Sequence, residues 1–260
     1  MPEPINFYAK TIISTTNLIF GCSFNGADAS TVFTDLSTYG HSIVAVGGAE
    51  VDTDQSIAGG ASVLFGGGAT NQLRIDDNPI FHLGTAGWAI ELYYMASSTT
   101  GGNTKALLSQ WADGGFDGSF IIFHTLAGAS QNLRFSYSTT GTVGSEITVQ
   151  WGSPNAVSIT TGTWRHLAAE RIGADLNFYA NSTTAGNLSL LLTHTTDIGG
   201  ASFFNSSQRV NVSNYQDGAS ANQALRGWID ELSFDKEVFN EEQVKFYSRG
   251  TGFPLNFYSS

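Results

Sequence analysis

Trp164-Arg165-His166-Leu167-Ala168-Ala169-Glu170-Arg171 is the stretch whose reading decides the fold. In an extended chain successive side chains point to opposite faces. Trp164, His166, Ala168 and Glu170 then share one face, and Arg165, Leu167, Ala169 and Arg171 share the other. That is the alternation of a half-buried strand. Trp228-Ile229-Asp230-Glu231-Leu232-Ser233-Phe234 reads the same way, with Trp228, Asp230, Leu232 and Phe234 set against Ile229, Glu231 and Ser233. The neighbouring acids Asp230 and Glu231 are therefore expected on opposite faces, unable to converge on one substrate.

Outward from these two strands, short apolar or alternating runs recur at Asn17–Phe20, Ser62–Phe65, Trp88–Met95, Ala106–Trp111 and Ser119–Thr125. They continue at Leu133–Ser138, Glu146–Trp151, Asp175–Ala180, Leu188–His194, Arg209–Val212 and Leu225–Phe234. Turn residues punctuate them, as in Gly66-Gly67-Gly68, Gly101-Gly102-Asn103 and Gly114-Gly115. Many short strands with such punctuation predict a sandwich or barrel and not βαβ units. The prediction is an all-β, two-sheet antiparallel jelly-roll sandwich over residues 17–253. Residues 1–16 form an N-terminal arm and residues 254–260 a C-terminal tail. A single short helix is expected near the C-terminus: Asn240 caps it, Glu241, Glu242 and Gln243 fill its first turn, and Arg249-Gly250 closes it.

Composition supports this class. Only 13% of the 260 residues are charged, and 30 are glycine, whereas helix surfaces are normally filled with Glu, Lys and Arg. Eleven basic against 22 acidic residues give a net charge of −11. So few cations cannot neutralise many phosphates, which argues against nucleic acid and against anionic membrane surfaces. Cys22 is the one cysteine; it allows no intrachain disulfide and is expected to be a small buried hydrophobe. Met1-Pro2-Glu3-Pro4-Ile5-Asn6 lacks the pattern of a signal peptide, and no run approaches the length of a membrane span. The expectation is synthesis in a cytoplasm.

Three segments carry a resemblance. The first runs from Leu18-Ile19-Phe20-Gly21-Cys22-Ser23-Phe24 through Asp28-Ala29-Ser30, Asp35 and Gly40-His41 to Gly59-Gly60-Ala61-Ser62-Val63-Leu64-Phe65. The second is Gly87-Trp88-Ala89-Ile90-Glu91-Leu92-Tyr93-Tyr94. The third combines Gly162-Thr163-Trp164-Arg165-His166-Leu167-Ala168 with Gly227-Trp228-Ile229-Asp230-Glu231-Leu232. In this order they resemble the laminin-G-like domains of the concanavalin A-like lectin and glucanase superfamily, of the type found in bacteriophage structural proteins. The chain departs from that pattern at Ala180-Asn181-Ser182, where the family shows Asp-Gly after a Tyr, and at Leu232-Ser233-Phe234, which replaces a more basic strand.

The resemblance makes glycoside hydrolysis the sharpest catalytic reading, since laminarinase-like enzymes share the sandwich. Such enzymes need two carboxylates about 5–5.5 Å apart for retention or roughly 6.5–9.5 Å for inversion. The Glu-x-Asp-x-x-Glu pattern of those hydrolases is missing, and Asp230 or Glu231 reads better as an acceptor for loop backbone or a partner for an arginine. His41, His82, His124, His166 and His194 are scattered singly, without zinc spacing. His166 reads as a satisfied strand residue. No catalytic residue is assigned.

Calcium wants six to eight oxygens. Asp76 and Asp77 next to Asn78, and Asp113 with Asp117, offer them, and the same residues are ordinary turn formers; both readings stay open, and calcium is the one cofactor considered. Sugar sites pair a flat aromatic face with planar hydrogen-bonding groups. Trp111, Phe116, Trp151 and Tyr215, all beside loop-forming residues, are the candidates. Taken with the resemblance, the sequence points to a non-enzymatic bacteriophage virion protein, a capsid decoration, fibre or tail-associated adhesion protein that binds glycans. A free-standing lectin is the alternative, and a glycoside hydrolase a more distant one. The implied partners are other virion proteins through the N-terminal arm, sister subunits in a homo-oligomer (a trimer), and a cell-surface glycan.

Overall fold

The computed structural model describes residues 17–97, 104–112, 117–125, 132–142, 144–151, 161–181, 190–215 and 223–236. Their strands in chain order are β1 (Leu18–Cys22), β2 (Ile43–Val46), β3 (Glu50–Asp52), β4 (Ser62–Gly66), β5 (Gln72–Ile75), β6 (Trp88–Ala96), β7 (Thr104–Gln110) and β8 (Phe120–Thr125). They continue with β9 (Asn132–Ser138), β10 (Glu146–Trp151), β11 (Arg165–Ile172), β12 (Asp175–Asn181), β13 (Leu190–Asp197), β14 (Val210–Val212) and β15 (Arg226–Asp235). Every expected strand is present. The structure adds β2, β3 and β5, each only three or four residues long. One turn of 3₁₀ helix, Pro79–Phe81, is capped by Asn78, whose Oδ1 accepts the Ile80 N–H at 3.0 Å. The helix expected at Asn240–Gly250, the N-terminal arm and the tail lie outside the described residues.

The strands form two antiparallel sheets. An eight-stranded sheet runs β13-β12-β11-β6-β15-β4-β3, with β1 also paired to β15. A seven-stranded sheet runs β10-β9-β8-β7-β14-β5-β2. Alternation explains why they stack: Ile90, Leu92 and Tyr94 of β6, Leu167 and Ala169 of β11 and Phe178 of β12 face inward from the first sheet. Leu73 and Ile75 of β5, Phe120 and Ile122 of β8, Phe135 and Tyr137 of β9, and Val210 and Val212 of β14 meet them from the second. Each such side chain contributes about 1.5–3 kcal/mol by leaving water. Cys22 is buried among them, and burial pushes its thiol up to about 12.

One expectation is overturned. Asp230 and Glu231 do not face opposite ways, because β15 carries a β-bulge. Its pairing with β6 shifts between Asp230 and Ser233, so Leu92 alone stands opposite Glu231 and Leu232. Glu231 takes a positive φ of 50°. Ile229, Leu232 and Phe234 all enter the core, which leaves both acids on the outer side of the sheet. A bulge re-aims side chains in this way at the cost of one ladder position.

Gly227 starts the same strand between β4 and β6. Its φ is 149°, and a Cβ there would lie 2.0 Å from the Met95 carbonyl oxygen. Only glycine fits so close a backbone approach. Gly227→Ala should lower the stability of the folded chain by at least about 1–3 kcal/mol, measured as a shift in the urea midpoint at unchanged slope. An unchanged midpoint would mean that β4 and β6 do not sandwich this residue.

Candidate functional site

The outer face of the seven-stranded sheet is set by parity. Since Phe120, Ile122, Leu133, Phe135, Val210 and Val212 point inward, their neighbours point out. In register these neighbours form a row straight across the sheet: Thr148, Ser136, Ile121, Ser109, Asn211, Arg74 and Val44. A second row holds Arg134, Phe123 and Ala106. Trp111, Ala106 and Ile121 pack there as a cluster of their own, apart from the main core, with Phe123 and Tyr215 half-buried against it.

The sequence-named Trp111 and Tyr215 thus come together on one face. Trp111 follows β7 and is only 8% exposed; its indole lies along the backbone of Gly118, where a Cβ would stand 2.7 Å from the ring. Tyr215 follows a sharp turn out of β14, made by Ser213 at φ 77°. Asn214 pins that turn. Its Nδ2 donates to the Ala69 carbonyl at 2.6 Å, its carbonyl accepts from Ser109 Oγ at 2.8 Å, and its Oδ1 accepts the Tyr215 N–H at 2.9 Å. Around the aromatic cluster stand groups able to meet sugar hydroxyls. Ser136 and Thr148 share a 2.6 Å hydrogen bond, and the buried Asn211 keeps an Oδ1 without a donor. Phe116 lies outside the described residues. Trp151 ends β10 opposite Leu133, and its side chain lies outside them too. Phe123 and Arg134, which sequence reasoning missed, complete the face.

The proposed calcium ligands are engaged otherwise. Asp76 is an exposed ion-pair partner of Arg209 at 3.1 Å, and Asp77 accepts from Gln110 Nε2 at 2.9 Å. Asp117 accepts from Ser207 Oγ at 2.5 Å and from Gln208 Nε2 at 3.2 Å. Burial works to raise the Asp117 carboxyl, and the hydrogen bonds from Ser207 and Gln208 outweigh it and hold it below its ordinary value. These contacts are those of turn anchors. Asp113 lies outside the described residues, and among those described no three His, Cys, Asp or Glu side chains are grouped to hold a metal.

The eight-stranded sheet carries a second polar cluster on its outer face. His166 Nε2 and Glu91 Oε1 are 2.5 Å apart, and the Tyr93 ring stacks on the imidazole at 3.9 Å. On the next strand Tyr179 donates its hydroxyl to Glu170. Asp230 Oδ2 accepts the N–H groups of Ile57 at 2.8 Å and Ala58 at 3.2 Å, and Oδ1 accepts that of Glu231 at 2.9 Å. The expected role of Asp230 as an acceptor for loop backbone is met here. Desolvation raises Asp230 to about 7 against those hydrogen bonds. Glu231 reaches about 9 through burial and the charges of Asp230 and Glu91. Glu91, Asp230 and Glu231 are 4%, 0% and 6% exposed, so these carboxylates are enclosed and present no open cleft.

No protein-family model matches the chain, and no curated protein matches it in sequence. Solved structures do match. The botulinum neurotoxin serotype G binding domain superposes with a TM-score of 0.62 at 12% identity, over 89% of this chain and 50% of that one. The binding domain of Paraclostridial Mosquitocidal Protein 1 gives 0.61 at 12% identity, over 89% and 52%. The botulinum neurotoxin serotype D ligand-binding domain, solved in complex with N-acetylneuraminic acid, gives 0.61 at 10% identity, over 91% and 52%. The chain spans about half the length of the structures it matches. At such identities the likeness establishes a shared jelly-roll sandwich.

The raised carboxyls set a pH dependence. A carboxyl that keeps its proton in the folded chain after the unfolded chain has released it makes stability fall as pH rises. For Glu231 that loss runs from its ordinary value of 4.5 up to about 9, at no more than about 1.4 kcal/mol per pH unit. Glu231→Gln removes the titration. Its melting temperature relative to the native chain should climb steadily between pH 5 and pH 9, and a constant difference would show that Glu231 does not titrate in that window.

Proposed function

We propose that this chain is a non-enzymatic glycan-binding domain, displayed on a bacteriophage particle as a structural or adhesion protein. The observation that carries the binding reading is the gathering of Trp111, Phe123 and Tyr215 over Ala106 and Ile121. They occupy the outer face of a sheet whose other outward residues include hydroxyls (Thr148, Ser136, Ser109), an amide (Asn211) and two guanidinium groups (Arg74, Arg134). Aromatic faces take up the apolar side of a sugar ring, and planar polar groups select its hydroxyls. The structural neighbours are binding domains, one of them solved with N-acetylneuraminic acid, and they support the same class of function. The enclosure of Glu91, Asp230 and Glu231 speaks against hydrolysis at the eight-stranded sheet. The particle context rests on the resemblance to phage laminin-G-like domains, with the N-terminal arm as its attachment and a homotrimer as its assembly.

Two experiments test the two halves. On a glycan array the folded chain should bind a restricted set of saccharides. Tyr215→Ala and Phe123→Ala should each weaken that binding about tenfold, the scale of one aromatic contact, with melting temperatures near the native value. A folded chain that binds nothing, or variants that bind unchanged, would remove this face from consideration. Mass spectrometry of purified phage particles from the source should find the chain in stoichiometric amount; its absence would leave a free-standing lectin.

A further inference from the structure

We infer that the saccharide taken by this face is anionic, bearing a carboxylate that pairs with Arg134. The inference rests on the platform described above and concerns its charge. Arg134 lies on β9 between the inward-facing Leu133 and Phe135, so it projects to the outer side. It is the direct cross-strand partner of Phe123, at the short Cβ separation typical of such pairs. Its side chain is half-buried, and its Nε is buried with no acceptor.

Among the described residues no hydrogen bond or ion pair reaches this guanidinium. Other arginines of the chain are engaged: Arg171 donates to the carbonyls of Gly173 at 3.0 Å and Gly84 at 2.9 Å, and Arg209 pairs with Asp76. A guanidinium offers five N–H donors, and leaving the buried Nε among them unmet is unfavourable. Arg134 stands apart from these two in having neither a carbonyl nor a carboxylate partner among the described residues.

The surroundings agree. Among the described residues neither outward row contains an acid: one reads Thr148, Ser136, Ile121, Ser109, Asn211, Arg74 and Val44, the other Arg134, Phe123 and Ala106. Among the described residues Glu146, exposed at the start of β10 opposite Ser138, is the outward carboxylate nearest in register. The face is thus locally cationic on an acidic molecule. A neutral sugar would stack on the aromatic residues and leave Arg134 unmet. A carboxylated sugar would supply the planar, bidentate acceptor that a guanidinium fits best.

The test compares saccharides that differ in one charge: N-acetylneuraminyl-lactose with lactose, and oligogalacturonate with its methyl ester, titrated into the intact chain by calorimetry. We expect one acidic member to bind about tenfold tighter or more than its neutral partner in about 0.05 M NaCl, with the gap narrowing in about 0.5 M. Arg134→Gln should erase the gap, the acidic member falling to about the affinity of its neutral partner, while Arg134→Lys should restore part of it. Equal affinity for acid and neutral partner, or a preference that survives Arg134→Gln, overturns the charge assignment and leaves the platform standing. No binding of any of the four by folded protein overturns both.

Discussion

The structure depends on an aromatic interlock between its two sheets. Trp88 of β6 stacks on Phe135 of β9 at 5.4 Å and meets Phe234 of β15 edge-on at 6.4 Å. Phe120 of β8 stacks on Phe135 at 6.1 Å and meets Phe234 edge-on at 5.8 Å. Two rings from each sheet therefore close a ring of contacts, and Phe178 and Phe203 extend it at 5.9 Å from Phe135. Offset and edge-to-face pairs add about 0.5–1.5 kcal/mol each beyond the area they bury. Their greater effect is on register. A slip of one residue in any of these strands would expel a ring from the interlock and turn the whole strand over.

Once the inner faces are fixed, the outer ones have no freedom left, and the two sheets spend that constraint differently. The eight-stranded sheet turns outward a set of acids, tyrosines and a histidine that satisfy one another: Glu91 with His166, Glu170 with Tyr179, and Asp230 with the backbone of Ile57 and Ala58. Such a network is expensive to leave half-made and rigid when complete. The bulge at Glu231 is the local distortion that brings the third acid to the same side. The seven-stranded sheet turns outward aromatic rings, hydroxyls and amides, and an arginine with no partner among the described residues. The acids of the first face are mostly paired, although Glu231 Oε2 and Trp228 Nε1 stay without partners, and the second face leaves Arg134 Nε and Asn211 Oδ1 unmet beside its aromatic rings.

Much of this was legible in the sequence. Twelve strands announced themselves through alternation and glycine punctuation, and Leu167 and Ala169 against His166 and Glu170 read correctly by parity alone. The strands that escaped are β2, β3 and β5, where three or four residues are too few to establish a period. Ile43-Val44-Ala45-Val46, being uniformly apolar, offers none. The bulge did leave a trace: Ile229, Leu232 and Phe234 are spaced by three and then two, and a regular strand cannot bury both Ile229 and Leu232 on one face. On the aromatic face of the seven-stranded sheet, Trp111 and Tyr215 could be named because each flanks a turn. Phe123 and Arg134 could not, since parity assigns a side chain to a face without saying which strands are neighbours. Their meeting follows from the β8–β9 register, a tertiary fact.

The central proposal is that the outer face of the seven-stranded sheet receives the ligand. A crystal structure of the chain grown with a saccharide that binds it tests this most directly. The account predicts density for a sugar ring lying against Tyr215 and Phe123, within hydrogen-bonding distance of Arg134 and Asn211. A ring seated instead on the outer face of the eight-stranded sheet, or at the sandwich rim away from β8 and β9, would contradict it.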